Sequence, residues 1–463
     1  MSYQRLFTIY QTIVVSLALC LALCSCQRYS ALELNSTKIH KEIIQLRTER
    51  SENSNSTQPF TFTDAAKILE KHNRELQLLH QQYKASLELA KIKSPWPNPS
   101  IEFGPAFGGR LEDTVASSRQ GFLSLAFQIP LGPRLSRNDD LKNILAQQSY
   151  TSKVIQHRTL YFKLKEAYLK YAFSAIKTKQ VAELQKSLAT FRRSLEKSIQ
   201  AGLGTSLGLF DTNIRLTNLE LEAKDLVIEQ IKNSESLAQL LDVDLKYIRE
   251  LNFSQPSSIF NFWSEANLLE IMTENNNQLA IDKMNFRKSD QVLKLELAKQ
   301  YPDLSIGFSR EQEVGEKTVI TSIPLGIDIP LFDRNQSGIS QAINQRKIHL
   351  RAYKNTLSEL STSLDSRIQL CKISLEQLDI IDKKLIPQYK QSMNEAQKAI
   401  SFGSLDSLQY LDMRARYEEA HLKRIELQEK AWLNVILLEN LCGYPLLNMN
   451  GQPNATTPNT FPN

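Results

Sequence analysis

Two periodicities divide this chain. In "FLSLAFQIP", Leu123, Leu125, Phe127 and Ile129 alternate with Ser124, Ala126 and Gln128. In "VITSIPLGIDIPL", Val319, Ile323, Leu325, Ile327, Ile329 and Leu331 are set against Ser322, Pro324, Gly326 and Asp328. "SIEFGPAF" places Ile101, Phe103 and Phe107 on one face, and "LSIGF" does so with Leu304, Ile306 and Phe308. A period of two predicts strands with one apolar face and one small or polar face. Such strands suit a membrane barrel, apolar toward lipid, and they equally suit half of a soluble sandwich. They come as two pairs, joined by the polar loops "GGRLEDTVASSRQG" and "REQEVGEKT". Four strands cannot close a barrel, because single-chain barrels begin at eight. Other chains must therefore complete it, or the strands do not span lipid.

Elsewhere apolar residues recur three and four apart, as at Leu160, Leu164, Ala167, Tyr168 and Tyr171. That is the stripe of an amphipathic helix with coiled-coil-like packing. Between Leu135 and Gln255 there is no proline, and the glycines are Gly202, Gly204 and Gly208. A helix from Leu135 to Gln200 would be roughly 100 Å long. Helices flanking the glycine break must fold back as an antiparallel hairpin. A plain soluble bundle would account for these helices, but not for the alternating strands.

The pattern is written twice. Amphipathic helices start at "TDAAKILEKHNREL", with Thr63 or Asp64 as cap, and at "SEANLLEIMTENNNQL". They stop at "SPWPNPSIEFG" and "KQYPDLSIGFS", where Pro97, Pro99 and Pro302 favour extended backbone. Strands follow, then "IPLGPRLSRN" and "IPLFDRNQSG", then long helices broken at "IQAGLGTSLGLFD" and "ISFGSLDSLQYLD". An offset of 201 residues aligns Ile199 with Ile400, Gly202 with Gly403, Ser206 with Ser407, Leu207 with Leu408 and Asp211 with Asp412. A near-constant offset argues for an internal duplication. The repeats span 63–255 and 256–446.

Composition adds the ends and the exclusions. The 463 residues are 41% hydrophobic and 23% charged, with a net charge of +6, and no basic stretch argues for nucleic acid. Residues 1–25 read as a signal peptide: Arg5, then the apolar "TIVVSLALCLALC". It ends in "LCSC", a resemblance to the bacterial lipobox, which implies cleavage before Cys26 and acylation of that cysteine; ordinary signal cleavage or an uncleaved anchor is the alternative. Residues 26–62 have the polar composition of a linker, and 447–463 read as a disordered tail. Cys371 and Cys442 are most simply buried thiols rather than a disulfide framework. None of the six histidines stands near another at ligand spacing, and no phosphate loop, nucleophile elbow or zinc motif occurs. The reading is of a non-enzyme without cofactor or metal site.

From about Thr63 to Pro445 the chain resembles the outer membrane factor family, whose namesake is TolC. The resemblance rests on the repeat, the "PNP" of Pro97 to Pro99, the two glycine-containing breaks and "LENLCGYPL". "IPLFDRNQSG" is similar to the CzcC-like, heavy-metal branch. The family implies a mainly helical protein with a small membrane β part. Three chains of four strands would form one 12-stranded barrel in outer-membrane lipid, above a periplasmic α-barrel. It implies a homotrimer acting as a passive exit duct, docked to a periplasmic adaptor and an inner-membrane pump of the resistance-nodulation-division type. Drug efflux, type I secretion and a lipid-anchored coiled-coil scaffold are the rival readings.

The family's hairpin tips, which meet the adaptor, correspond to Gly202, Leu203, Gly204, Thr205 and Ser206, and to Gly403, Ser404, Leu405, Asp406 and Ser407. Asp211 and Asp412 fall near the family's periplasmic constriction, where three copies of Asp412 would make an anionic ring. The family often has another acid six residues past the glycine; Gln409 stands there, which leaves the gate residue open, and a solvated helix-face acid is the plainer reading. Asp333 is a candidate cap for the descending helix. Trp96, Trp263 and Tyr301 are candidate interfacial aromatics or packing residues.

Overall fold

A computed structural model describes residues 29–52, 59–108, 118–202, 206–257, 259, 265–312, 319–401 and 407–454. The chain divides into two units, Met1–Ser54 and Asn55–Asn463. In the first, α1 (Ser36–Glu52) is a helix inside the stretch read as linker. Its start is fixed by Asn35, whose side chain accepts the Lys38 amide at 3.1 Å, and Gln45 bonds Glu49 one turn on. Polar composition concealed a capped helix. Cys26 lies outside the described residues.

In the second unit, Phe60 ends the supposed linker by pairing with Phe253 and entering the core. Helix α2 (Phe62–His72) begins earlier than the sequence reading placed it. Thr61, not Thr63 or Asp64, is the cap, and Asp64 returns the bond to the Thr61 amide at 3.2 Å. Then come α3 (Arg74–Lys91), β1 (Ser100–Gly108), β2 (Ser118–Pro130) and α4 (Arg134–Gln200), 67 residues of unbroken helix. The first repeat closes with α5 (Ser206–Leu241) and α6 (Leu245–Glu250). The second runs α7 (Glu265–Asn275), α8 (Asn277–Ala298), β3 (Asp303–Gln312), β4 (Val319–Ser322), β5 (Leu325–Ile327) and α9 (Gln336–Ile380). A π-turn (Ile381–Leu385), α10 (Ile386–Ser401) and α11 (Ser407–Cys442) complete it.

The duplication reaches single hydrogen bonds. Helices α5 and α11 are both 36 residues long and start 201 positions apart. Each is followed by a left-handed residue, Asp242 (φ 52°) and Gly443 (φ 67°). Asn73 caps α3 and donates to the Leu240 carbonyl at 2.8 Å; Asn276 caps α8 and donates to the Leu441 carbonyl at 2.7 Å. A side-chain carbon at Gly443 would lie 2.2 Å from the Asn275 carbonyl, so glycine is needed there. At Asp242 the side chain instead receives Arg74 at 2.8 Å.

The main core gathers where α2, α4, α5, α6, α9 and α11 converge, around Tyr168, Leu169, Leu237, Ile248 and Trp432. It encloses an ion pair: Lys165 meets both Glu439 oxygens at 2.8 and 2.7 Å, with neither side chain more than 1% exposed. Lys165 also donates to the Leu447 carbonyl, and the Leu447 amide donates to Glu439, both at 2.8 Å. This knot pins residues that the sequence placed in a disordered tail. Leu447 is buried and pairs with Pro453, and the Asn454 amide reaches the Leu446 carbonyl at 3.0 Å. Cys371 and Cys442 are free, buried thiols, and burial pushes both up to about 12.

The sheet is antiparallel, in the order β1-β2-β3, with β4 and β5 both on β3. The fourth strand is split because Pro324 has no amide for the ladder. Opposite it, the Gly307 amide reaches the Pro324 carbonyl at 2.8 Å, and a side chain at Gly307 would strike the proline ring at 2.7 Å. The ladder ends at Ile327, short of the Leu331 that alternation suggested. At the sheet-to-helix junction, Asp333 does not cap α9. Its carboxylate accepts the Asn335 amide at 2.9 Å, and Asn335, left-handed at φ 57°, takes the cap position and donates to Glu296.

Candidate functional site

Register turns the alternation of four segments into one apolar face. Ile101 pairs with Leu125 and Phe103 with Leu123. Leu125 pairs with Phe308, Phe127 with Ile306 and Ile129 with Leu304. Leu304 and Ile306 in turn pair with Ile327 and Leu325. The other face carries Ser124 against Ser309, Ala126 against Gly307, Gln128 against Ser305 and Ser309 against Ser322. The apolar face is uncovered: Ile101, Phe103, Phe127, Phe308, Leu325 and Ile327 are all exposed. Both outer edges of the sheet lack a partner strand among the described residues. Trp96 and Tyr301 near its base are exposed too; Trp263 lies outside the described residues.

The far end of the helices is the turn after α4. Gly202 adopts φ +74° with its amide on the Ile199 carbonyl at 3.0 Å, the left-handed stop that ends the helix. Ser206 opens α5 and Ser407 opens α11. The remaining tip candidates, Leu203, Gly204, Thr205, Gly403, Ser404, Leu405 and Asp406, lie outside the described residues.

Of the three gate candidates, one enters a network. Asp412 accepts from Arg416 at 2.8 Å and from Arg215 of α5 at 3.4 Å, and Arg215 also pairs with Glu419 of α11. The bond to Asp412 raises the Arg416 guanidinium above its ordinary range. Asp211 and Gln409 are exposed and take no part in it. Arg215, Arg416 and Glu419 escaped the sequence reading, although the same offset repeats Asp211…Arg215 as Asp412…Arg416. The repeated pair was the available signal. What spacing could not show is that Arg215 leaves its own helix's acid and crosses to α11.

Beside this network an open groove of about 360 Å³ lies among α4, α5 and α11, with Leu184, Leu188, Leu219 and Leu422 against Arg215, Glu222 and Glu426. Burial, then the charge of Glu426, raises the Glu222 carboxyl above its ordinary range. Among the described residues no group of three or more His, Cys, Asp or Glu could hold a metal. No described helix is long and apolar enough to cross a membrane.

With this geometry in view, known proteins can be compared. No family model matches the chain. The cobalt-zinc-cadmium resistance protein CzcC of Cupriavidus metallidurans is 20% identical over 176 residues, 38% of this chain and 42% of CzcC, so the match spans under half of that relative. The outer-membrane channel OprN superposes with a TM-score of 0.66 at 14% identity, covering 82% of this chain and 89% of OprN. CusC, described as forming a transmembrane channel, gives 0.63 at 14% identity, over 82% of this chain and 92% of its own. VceC, an outer membrane protein of Vibrio cholerae, gives 0.64 at 14%, over 82% and 96%. The fold is that of the outer-membrane channels, the class the sequence resembled. Within that class, the CzcC match falls on the heavy-metal branch that "IPLFDRNQSG" resembled.

Proposed function

We propose that this protein is the outer-membrane exit duct of a tripartite efflux system, a passive channel and not an enzyme. The observation that carries the reading is the sheet. Its strands align one uncovered apolar face opposite a small and polar one, on the fold of an outer-membrane channel. An open sheet with two bare edges and an apolar face is unfavourable in water. Completing the barrel with other copies removes the edges and gives the apolar face to lipid. Three chains make the 12-stranded barrel expected of the family. Helix α5 offers a second surface for the same copies: Leu207, Ile214, Leu221 and Ile228 recur every seven residues and are all exposed. Acylation of Cys26 would add an anchor, supported by the "LCSC" motif.

In this reading the tips around Gly202–Ser206 and Gly403–Ser407 face a periplasmic adaptor, which links the duct to a pump of the resistance-nodulation-division type. The proposed gate adds to the Asp412 carboxylates the arginines that engage them: on this reading the α5–α11 network holds the closed state, and opening requires Arg215 to release Asp412 and Glu419, a reading supported by the ion pairs of Asp412 with Arg215 and Arg416. Divalent heavy-metal cations are the proposed cargo, on the CzcC match and the resemblance of "IPLFDRNQSG". Deleting the gene tests this: cellular zinc, cobalt and cadmium should rise while dye efflux stays normal. Retained dye with normal metals would move the duct to drug efflux. Arg215→Ala should make cells expressing the duct leakier to large antibiotics; unchanged permeability would remove the network from the gate.

A further inference from the structure

The sheet sorts its charges by face. Counted by twos along each strand, Glu102, Asp303 and Glu311 fall with Ser124, Ser305 and Ser309 on the small, polar face. Arg310 falls on the apolar one. It stands two residues beyond Phe308, and the ladders set it opposite Leu123 of β2 and Thr321 of β4. The apolar positions of β2, counted outward by twos from Ile129 through Leu123, arrive at a second arginine, Arg119, which the ladder pairs with Phe107. Among the described strand residues no acid falls on the apolar face and no cation on the polar one.

Depth sets what Arg310 can meet. The four connections to the helices all leave the sheet at one end, that of Ser100, Pro130, Asp303 and Ile327. Arg310 lies six residues outward from Leu304 on that end, which is roughly 20 Å along a strand. With barrel strands tilted about 45°, this is about 14 Å of depth, past the middle of an apolar band about 25 Å tall. Exposed Ile329 and Leu331 extend the band on the helix side, so Arg310 lies nearer still to the opposite boundary. The helix side is marked differently, by exposed Trp96 and Tyr301. An arginine facing lipid is costly at the midplane and tolerated near the boundary, where its long stem lets the guanidinium reach the headgroups.

We propose that Arg310, with Thr321 beside it, is a phosphate-binding site on the lipid-facing wall, and that its ligand is a phosphorylated glycolipid of the outer leaflet. The guanidinium is a planar fork that meets phosphate through two parallel N–H bonds, and the Thr321 hydroxyl adds a donor. Sidedness selects the leaflet. In the channel reading the helices are periplasmic, so the far end of the sheet meets the outer leaflet, whose phosphates are carried on the sugars of a glycolipid. A carboxylate at this place would face a like charge, which accounts for the lack of acids on the apolar face. Three chains give three such sites around the barrel.

The inference rests on the channel reading, and the test separates the two. Purified full-length protein in detergent is titrated with lipid A, with lipid A stripped of its phosphates and with phosphatidylglycerol, and bound lipid is counted by native mass spectrometry. Wild type should saturate at three lipid A molecules per trimer and bind little of the dephosphorylated form. Arg310→Gln should raise the half-saturating lipid A concentration about tenfold, the scale of a lost charge-assisted hydrogen bond. Arg310→Lys, which keeps the charge and loses the fork, should fall between. Arg346→Gln, which removes a cation from the ion pair between α8 and α9, is the control and should change nothing. A trimer that conducts in planar bilayers, but binds lipid A equally well as Arg310→Gln or takes phosphatidylglycerol as tightly as lipid A, overturns the glycolipid site and leaves the channel standing. Protein that neither forms trimers nor conducts overturns both.

Discussion

At the residue scale, charge decides where apolar packing alone would not. Lys165 and Glu439 are too deep for solvent to compensate either one alone. Lys165→Met should cost about 3–5 kcal/mol, because it strands a buried carboxylate. Pairing it with Glu439→Gln, which still accepts from the Leu447 amide, should cost much less; denaturant midpoints of the three proteins give the comparison. Asp290 shows the opposite regime. Its bond from Lys294 lowers its carboxyl, burial opposes, and Arg346 adds to the lowering. A carboxyl lowered on folding stabilises above its unfolded value and loses that contribution as pH falls through the folded one. The melting-temperature gap between wild type and Asp290→Asn should therefore be present above about pH 4 and close below it.

Residue identities were legible in the sequence where a local rule sufficed. Gly202 stops its helix with positive φ, as a glycine break should. The partners of charges were not legible. Lys165 and Glu439 are 274 positions apart, and Arg215 and Asp412 are 197 apart; no spacing rule links them. Asp333 read as a cap because acids cap helices, yet Asn335 can adopt the left-handed backbone there and Asp333 bonds it from outside.

At the scale of elements, periodicity was the reliable guide and boundaries were not. The alternating strands and long helices stand where the pattern put them. The fourth strand breaks at Pro324, because a pattern of side chains does not register a missing amide. Helix α1 hid in a polar stretch although its Asn35 cap is local, and residues 447–454 hid behind tail-like composition because Leu447 is held by Lys165 and Glu439, partners brought together only on folding. The common apolar face could be foreseen strand by strand, but its continuity depends on register. Register also sets a test. Leu125→Arg, in the middle of that face, should cost about 2–4 kcal/mol of membrane assembly if it meets lipid. Ser124→Arg, one residue away on the other face, should cost far less, as read from the assembled protein in membrane fractions.

At the scale of the molecule, the duplication explains why so many features come in pairs and why the exceptions are informative. Matched cap asparagines, 36-residue helices and left-handed stops recur because each half supplies strands and a helical hairpin, the pairing that the proposed tube would use. The halves differ where the π-turn at Ile381–Leu385, ahead of Pro387, widens one arm and Arg215 crosses to the other half, and both differences lie toward the tips. The central claim is that the uncovered sheet joins other copies in a membrane barrel. Planar-bilayer recording of the purified full-length protein, with its detergent-solubilised mass measured on the same sample, tests it most directly. The account predicts discrete conductance steps from a particle with the mass of three chains. A monomer that binds membranes and yields no steps would contradict it.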